Sequence, residues 1–212
     1  MRVLCFGKSV QGGDHLENED GFLIDEKVKL FAVADGVSVP KGGKEASQKV
    51  LKHLKESFEG DLEKAFEEAN KKFVEEKRKG FFEGYCTLSA VHLKKDFLEA
   101  CNVGDSPIFL FRDKKIENLA TIDKLLGTSV LTQAMGEDFI RVHATEKELK
   151  VGDWILIATD GITDVLSENE ILKIIEKFED VKKICEMVIE EAKKKIIFYD
   201  DDKTLIVIKV VE

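Results

Sequence analysis

Two short apolar runs in this chain stop at the same dipeptide. Leu30-Phe31-Ala32-Val33-Ala34 ends at Asp35-Gly36, and Trp154-Ile155-Leu156-Ile157-Ala158-Thr159 ends at Asp160-Gly161. An apolar run of this length without alternation reads as a strand buried on both faces. It also carries a carboxylate to the edge of a core, where an unpaired charge is costly. A lone strand-to-Asp-Gly junction is ordinarily just a turn. Two of them imply carboxylates meeting at one place, and oxygen clusters of that kind hold hard divalent cations.

The remaining segments fit around these two strands. Val3 to Phe6 reads as a first strand, Gly7 to Gly13 as a loop, and Phe22 to Ile24 as a short strand. Ala46, Val50, Leu51, Leu54 and Phe58 line one face of a helix that starts near Glu45. Leu62, Ala65, Phe66, Ala69 and Phe73 line a second, with Asp61 as its N-cap. Cys86–Leu93, Phe97–Val103, Pro107–Phe111 and Lys115–Leu119 read as an antiparallel meander. Thr121 to Asp138 shows no period and reads as a loop. Arg141–Thr145 and Asp153–Thr159 return to strand, two further helical stripes follow from Ile171 and Val181, and Thr204–Val211 closes the chain as a strand. This order, strands then a helix pair, twice over, predicts antiparallel sheets with helices packed outside.

At 212 residues the chain is long enough for a real core and reads as one domain, residues 1–212. A net charge of −9 argues against a nucleic-acid partner, which requires a basic face. No apolar run approaches a membrane span, and the N-terminal residues lack a signal peptide's hydrophobic stretch, so the expected location is the cytoplasm. Cys5, Cys86, Cys101 and Cys185 form no C-x-x-C pair and read as small buried hydrophobes in a reducing compartment.

Three more acidic groups fall at strand boundaries: Glu19-Asp20, Asp105, and Asp200-Asp201-Asp202. Unpaired carboxylates gathered at strand ends repel one another unless a cation sits among them. A phosphate-cradling loop is excluded by Ser38 and Glu45, there is no G-x-S-x-G elbow, and the four dispersed histidines form no zinc pair. With carboxylates plentiful and histidine scarce, the expected metal is Mg²⁺ or Mn²⁺.

The acidic segments occur as Asn18-Glu19-Asp20, Ala34-Asp35-Gly36 with Gly-Gly-Lys-Glu-Ala-Ser downstream, Val103-Gly104-Asp105-Ser106, Ala158 to Asp164, and Asp201-Asp202-Lys203-Thr204. In that order, over residues 3 to 211, the chain resembles the metal-dependent Ser/Thr phosphatases of the protein phosphatase 2C (PPM) type. The resemblance implies an α+β fold, a four-layer αββα sandwich of two antiparallel sheets flanked by helix pairs. It implies two Mn²⁺ or Mg²⁺ ions, with Asp35 bridging them and the Gly36 carbonyl a ligand of one. Asp160 and Asp201 match ligands of the other ion, Glu19 a ligand acting directly or through water, and Asp20 its neighbour. Asp105 with Asp160 matches the holder of a weaker third ion, supported by Asp164. The implied reaction is hydrolysis of phosphoserine and phosphothreonine in proteins of a Ser/Thr kinase pathway, by in-line attack of a metal-activated water.

Three positions depart from the family pattern. His15 stands where a phosphate-binding Arg is usual, so His15 is a candidate phosphate contact, with Lys8 as a substitute. Val37 stands where some members carry a His thought to act as general acid. The segment from Asp123 to Gly136 resembles a shortened flap. Two other functions fit the same residues: a catalytically weak relative that binds a partner and regulates it, and a phosphatase of small phosphate esters.

Overall fold

A computed structural model of the chain describes residues 1–39, 41–195 and 199–212. The elements are β1 (Val3–Val10), β2 (Gly21–Asp25), β3 (Leu30–Ala34), α1 (Gly43–Ser57), α2 (Leu62–Arg78), β4 (Leu88–Leu93), β5 (Phe97–Val103), β6 (Ile108–Arg112) and β7 (Lys115–Asn118). They continue with β8 (His143–Glu148), β9 (Trp154–Ala158), α3 (Asp160–Thr163), α4 (Glu168–Lys177), α5 (Val181–Lys194) and β10 (Lys203–Val210). One sheet has the order β1-β10-β9-β6-β7 and the other β2-β3-β4-β5-β8, with every pair antiparallel.

The pleat explains the two unbroken apolar runs. In β3, Leu30, Ala32 and Ala34 face α1 and α2, while Phe31 and Val33 face the other sheet. In β9, Trp154, Leu156 and Ala158 face α4 and α5, while Ile155 and Ile157 meet Phe31 and Val33 between the sheets. Continuous hydrophobicity, the usual mark of parallel strands, arises here in antiparallel sheets because helices cover both outer faces. The result is the expected four-layer sandwich.

The helix ends follow ordinary capping chemistry. Asp61 accepts a hydrogen bond from the Lys64 N–H (3.0 Å), and Asp180 caps α5 through the Lys183 N–H (2.7 Å). Glu170 reaches back to the Ser167 N–H (3.1 Å) at the start of α4.

Several boundaries differ from expectation. β1 continues through Gly7 to Val10, because the eight residues of β10 supply partners along its full length, from Val3↔Val210 to Val10↔Lys203. The expected meander is cut in two: β4 and β5 pair in one sheet, β6 and β7 in the other. The chain crosses between the sheets at Gly104-Asp105-Ser106, so this turn lies at an end of the sandwich rather than within a sheet. Cys86 lies outside β4 and bridges Gly36 and Met135 instead. The short helix α3, beginning at Asp160, has too few residues to show a period in sequence.

The three apolar layers draw on none of the clustered acids. Metal-free protein is therefore expected to keep its far-ultraviolet circular dichroism in EDTA. Phe31 is fully buried between the sheets. Phe31→Ala is expected to cost about 3–5 kcal/mol in denaturant unfolding, and a loss below about 1 kcal/mol would show that this layer is not the closed core described here.

Candidate metal centre

β3 and β9 end at the same edge of the sandwich, and their terminal acids meet there. The Asp35 N–H donates to Thr87 Oγ1 (3.1 Å), and the Thr87 N–H donates to the Asp35 carbonyl (2.8 Å). This two-way clasp fixes the strand end that carries the carboxylate. Burial raises the Asp35 pKa well above the usual carboxylate range, and Asp20, Asp160, Asp201 and Asp105 push it further the same way. The charged groups that act on Asp35 most strongly are thus all acids. Gly36 is required by close packing: a Cβ there would lie 2.3 Å from the Gly43 carbonyl carbon and oxygen at the start of α1.

Asp20 is buried, and one of its oxygens, Oδ2, accepts from Thr159 Oγ1 (2.8 Å). The other, Oδ1, has no partner among the described residues. Burial raises its pKa well above the ordinary value, against the hydroxyls of Thr204 and Thr159, with Asp202 and Asp160 adding to the rise. The neighbouring Glu19 accepts from Ser38 Oγ (2.5 Å) and lies 3.6 Å from His15 Nδ1.

The acidic triplet before β10 divides into three roles. Asp200 pairs with Lys203 Nζ (2.5 Å) and accepts the Gly13 N–H (2.7 Å). Asp202 is a tether: Oδ1 accepts the Gly12 N–H (2.8 Å) and Oδ2 the Glu19 N–H (2.7 Å), holding the β1–β2 loop against β10. Asp201 faces the cluster, and burial followed by the field of Asp160 pushes its pKa up to about 6.

His15 is only 7% exposed in its side chain. Its Nε2 lies 3.0 Å from Asp201 Oδ1 and 2.5 Å from the Tyr199 hydroxyl, and its Nδ1 lies 3.2 Å from Asp202 Oδ2. Both ring nitrogens thus have an acid or the Tyr199 hydroxyl beside them, and the ring also lines a cleft of about 380 Å³ together with Asp14, Glu19, Ser38 and Tyr199. Lys8 is no substitute. It lies on the same face of β1 as Phe6 and Val10, which pack against the α4–α5 layer, and its charge acts on Cys185 of α5.

Among the described residues, His15, Asp201 and Asp202 offer ligand atoms within 4.8 Å of one another. Asp202 already accepts two backbone N–H groups, which makes it a poor ligand. The all-oxygen set around Asp35 fits a divalent cation better. It holds an orphaned buried oxygen on Asp20, a carboxylate at Asp35 under pressure from four others, and hard donors throughout.

Sequence reasoning missed Lys124. Its Nζ lies 2.9 Å from Asp105 Oδ2, 2.9 Å from Asp160 Oδ2 and 3.4 Å from Asp164 Oδ2. Even so, burial and the field of Asp160 push Asp105 up to about 6, since one ammonium is shared among three acids. Asp164 is raised by burial and then by Asp160. The expected flap is a small folded loop: Lys124 bridges Leu131, and the Leu125 N–H donates to the Val130 carbonyl (2.9 Å). No sequence pattern distinguished Lys124 from the other surface lysines of a lysine-rich chain.

The comparisons with known proteins agree with this geometry. The family model described as Stage II sporulation protein E (SpoIIE) matches residues 33–211. A probable protein phosphatase 2C, BIPP2C1 of Oryza sativa subsp. japonica, is 30% identical over 177 residues, covering 77% of this chain and 30% of that protein. The serine/threonine protein phosphatase PstP of Mycobacterium tuberculosis is 25% identical over 197 residues, covering 80% of this chain and 38% of PstP. The chain thus spans about a third of the length of these curated relatives. The solved catalytic domain of PstP in complex with 2 manganese ions superposes with a TM-score of 0.86 at 23% identity, over 99% of each chain. Convergent strand-end acids, the four-layer sandwich and a family match from β3 to the end of β10 lead to one assignment: the chain belongs to the SpoIIE/PPM family of phosphatase domains.

Proposed function

We propose that residues 1–212 form one catalytic domain that hydrolyses phosphoserine and phosphothreonine in proteins, using two divalent cations, Mn²⁺ or Mg²⁺. The observation that carries this reading is Asp35, a carboxylate whose strongest charged neighbours are four other acids. Such an arrangement costs stability unless cations occupy it. In this reading Asp35, the Gly36 carbonyl, Asp160, Asp201 and Glu19 would hold the ions, with Asp20 supporting Glu19. The relatives named as Ser/Thr protein phosphatases support the substrate class, and the PstP domain with its 2 manganese ions supports the metal.

When bound, the two cations would supply Lewis acidity that lowers the pKa of a water and neutralises phosphoryl charge. The chain's own residues do the positioning. The Thr87 clasp and the glycine contact at Gly36 hold Asp35 to the frame of β3 and α1. Asp202, by gripping the Gly12 and Glu19 N–H groups, keeps the loop that bears Glu19 and His15 over the site. His15 is a positioning residue for Asp201 in this reading. Val37 has no titratable group, so the leaving oxygen takes its proton from elsewhere than that position. Among the described residues no helix is long and apolar enough to cross a membrane, and a phosphoprotein of the cytoplasm from a Ser/Thr kinase pathway is the proposed substrate.

The test is phosphate release from phosphoserine and phosphothreonine peptides and from small aryl phosphates, with Mn²⁺, with Mg²⁺ and in EDTA. Metal-dependent release favouring the peptides supports the proposal. Equal turnover of the small esters would shift it to a small-ester phosphatase, and undiminished activity in EDTA would exclude the metal mechanism. Asp35→Asn is expected to lower activity by about two orders of magnitude or more. The same variant should also be more stable than the wild type when metal-free. Because the Asp35 pKa is raised in the folded protein, the folded state holds this proton at pH values where the unfolded chain has released it. Metal-free wild type therefore loses stability as pH rises through that window, and the Asn variant, which keeps the other raised acids, lacks the Asp35 share of that loss. Asp35→Asn should melt higher at pH 8, by about 2–4 °C per kcal/mol gained, and the gap should close toward pH 4. A metal-free variant that melts lower than the wild type at pH 8 would contradict the electrostatic account.

A further inference from the structure

We propose that the ammonium of Lys124 is a built-in cation that takes the place of a third metal ion between Asp105 and Asp160, so that this protein binds two ions and not three. The inference rests on the two-ion reading above and concerns this chain's own residues toward the metals. Lys124 Nζ sits within 3.4 Å of one oxygen from each of Asp105, Asp160 and Asp164. An ammonium has three donors and no acceptor, so three carboxylate oxygens exhaust it. It uses only Oδ2 of Asp160.

The lysine is held in place from below. Its neighbour Asp123 donates its N–H to the Gly104 carbonyl (3.0 Å), and the Asp123 side chain accepts the Gly104 N–H (3.0 Å) in return. Gly104 immediately precedes Asp105, so one clamp fixes both the lysine-bearing segment and the turn bearing its partner. Asp123 is itself buried and pinned by Gln133 Nε2 (2.7 Å) and His143 Nε2 (2.9 Å). The Lys124 side chain is 14% exposed. The three carboxylate oxygens around it favour its charged form. Beside it lies a cleft of about 300 Å³, lined by the same three acids. A hydrated ion can thus reach the place, and what excludes it is the positive charge already present.

The experiment is Mn²⁺ stoichiometry by elemental analysis and titration calorimetry over graded Mn²⁺. Wild type should bind two ions per chain. Lys124→Met keeps the length of the stem and removes the charge, and it should bind a third ion about tenfold or more tightly than wild type does. Adding Asp105→Asn to Lys124→Met should remove that third ion. Wild type binding a third ion that Asp105→Asn abolishes would overturn the inference, as would Lys124→Met titrating identically to wild type. If Lys124→Met fails to fold by circular dichroism, Asp105→Asn alone decides: an unchanged count and unchanged affinities support the inference, and loss of an ion overturns it. Absence of Mn²⁺ from every variant would instead remove the two-ion reading, and this inference with it.

Discussion

Like charges brought together at the edge of an apolar core are the constraint on which this structure turns. Asp35, Asp20, Asp201 and Asp105 come from four separate segments, and the pKa of each is raised, with burial as the first cause. Acids raised together in this way record an unpaid electrostatic cost. Protons can meet it at low pH. At neutral pH the cations proposed above would meet it.

The scaffold tolerates that cost because it is supported elsewhere. The carboxylate-bearing ends belong to β3 and β9, strands covered on both faces by apolar layers that include no member of the cluster. Hydrogen bonds then fix the ends themselves: Thr87 on Asp35, Thr159 on Asp20, Asp202 on the loop bearing Glu19, and Asp123 on the turn bearing Asp105. Polar side chains at this edge thus split into those left exposed to charge and those spent on positioning.

Lys124 divides the cluster into two unequal parts. On one side the charged groups acting most strongly on Asp35 and Asp20 are, among the described residues, all acids; on the other, Asp105, Asp160 and Asp164 share an ammonium. Asp160 belongs to both parts. Through Lys124, the segment after Asp123 thus touches an acid whose charge also acts on Asp35.

The sequence alone determined the layers and the principal acids. Burial on both faces leaves an unmistakable trace in Leu30–Ala34 and Trp154–Ala158, amphipathic stripes marked the four long helices, and Asp-Gly junctions at strand ends marked Asp35 and Asp160. Helix and strand periods are local properties, so local pattern reveals them. Tertiary structure decided what depends on distant partners. β1 reaches Val10 only because β10 runs beside it, and the strands from Leu88 to Asn118 divide between two sheets because the Gly104 turn crosses the sandwich. His15 came to lie against Asp201 and Asp202, which stand far from it along the chain. Lys124 became part of the site only when the fold set it beside Asp160. Charge has no period along a chain, and which carboxylate a lysine meets is decided by long-range packing alone.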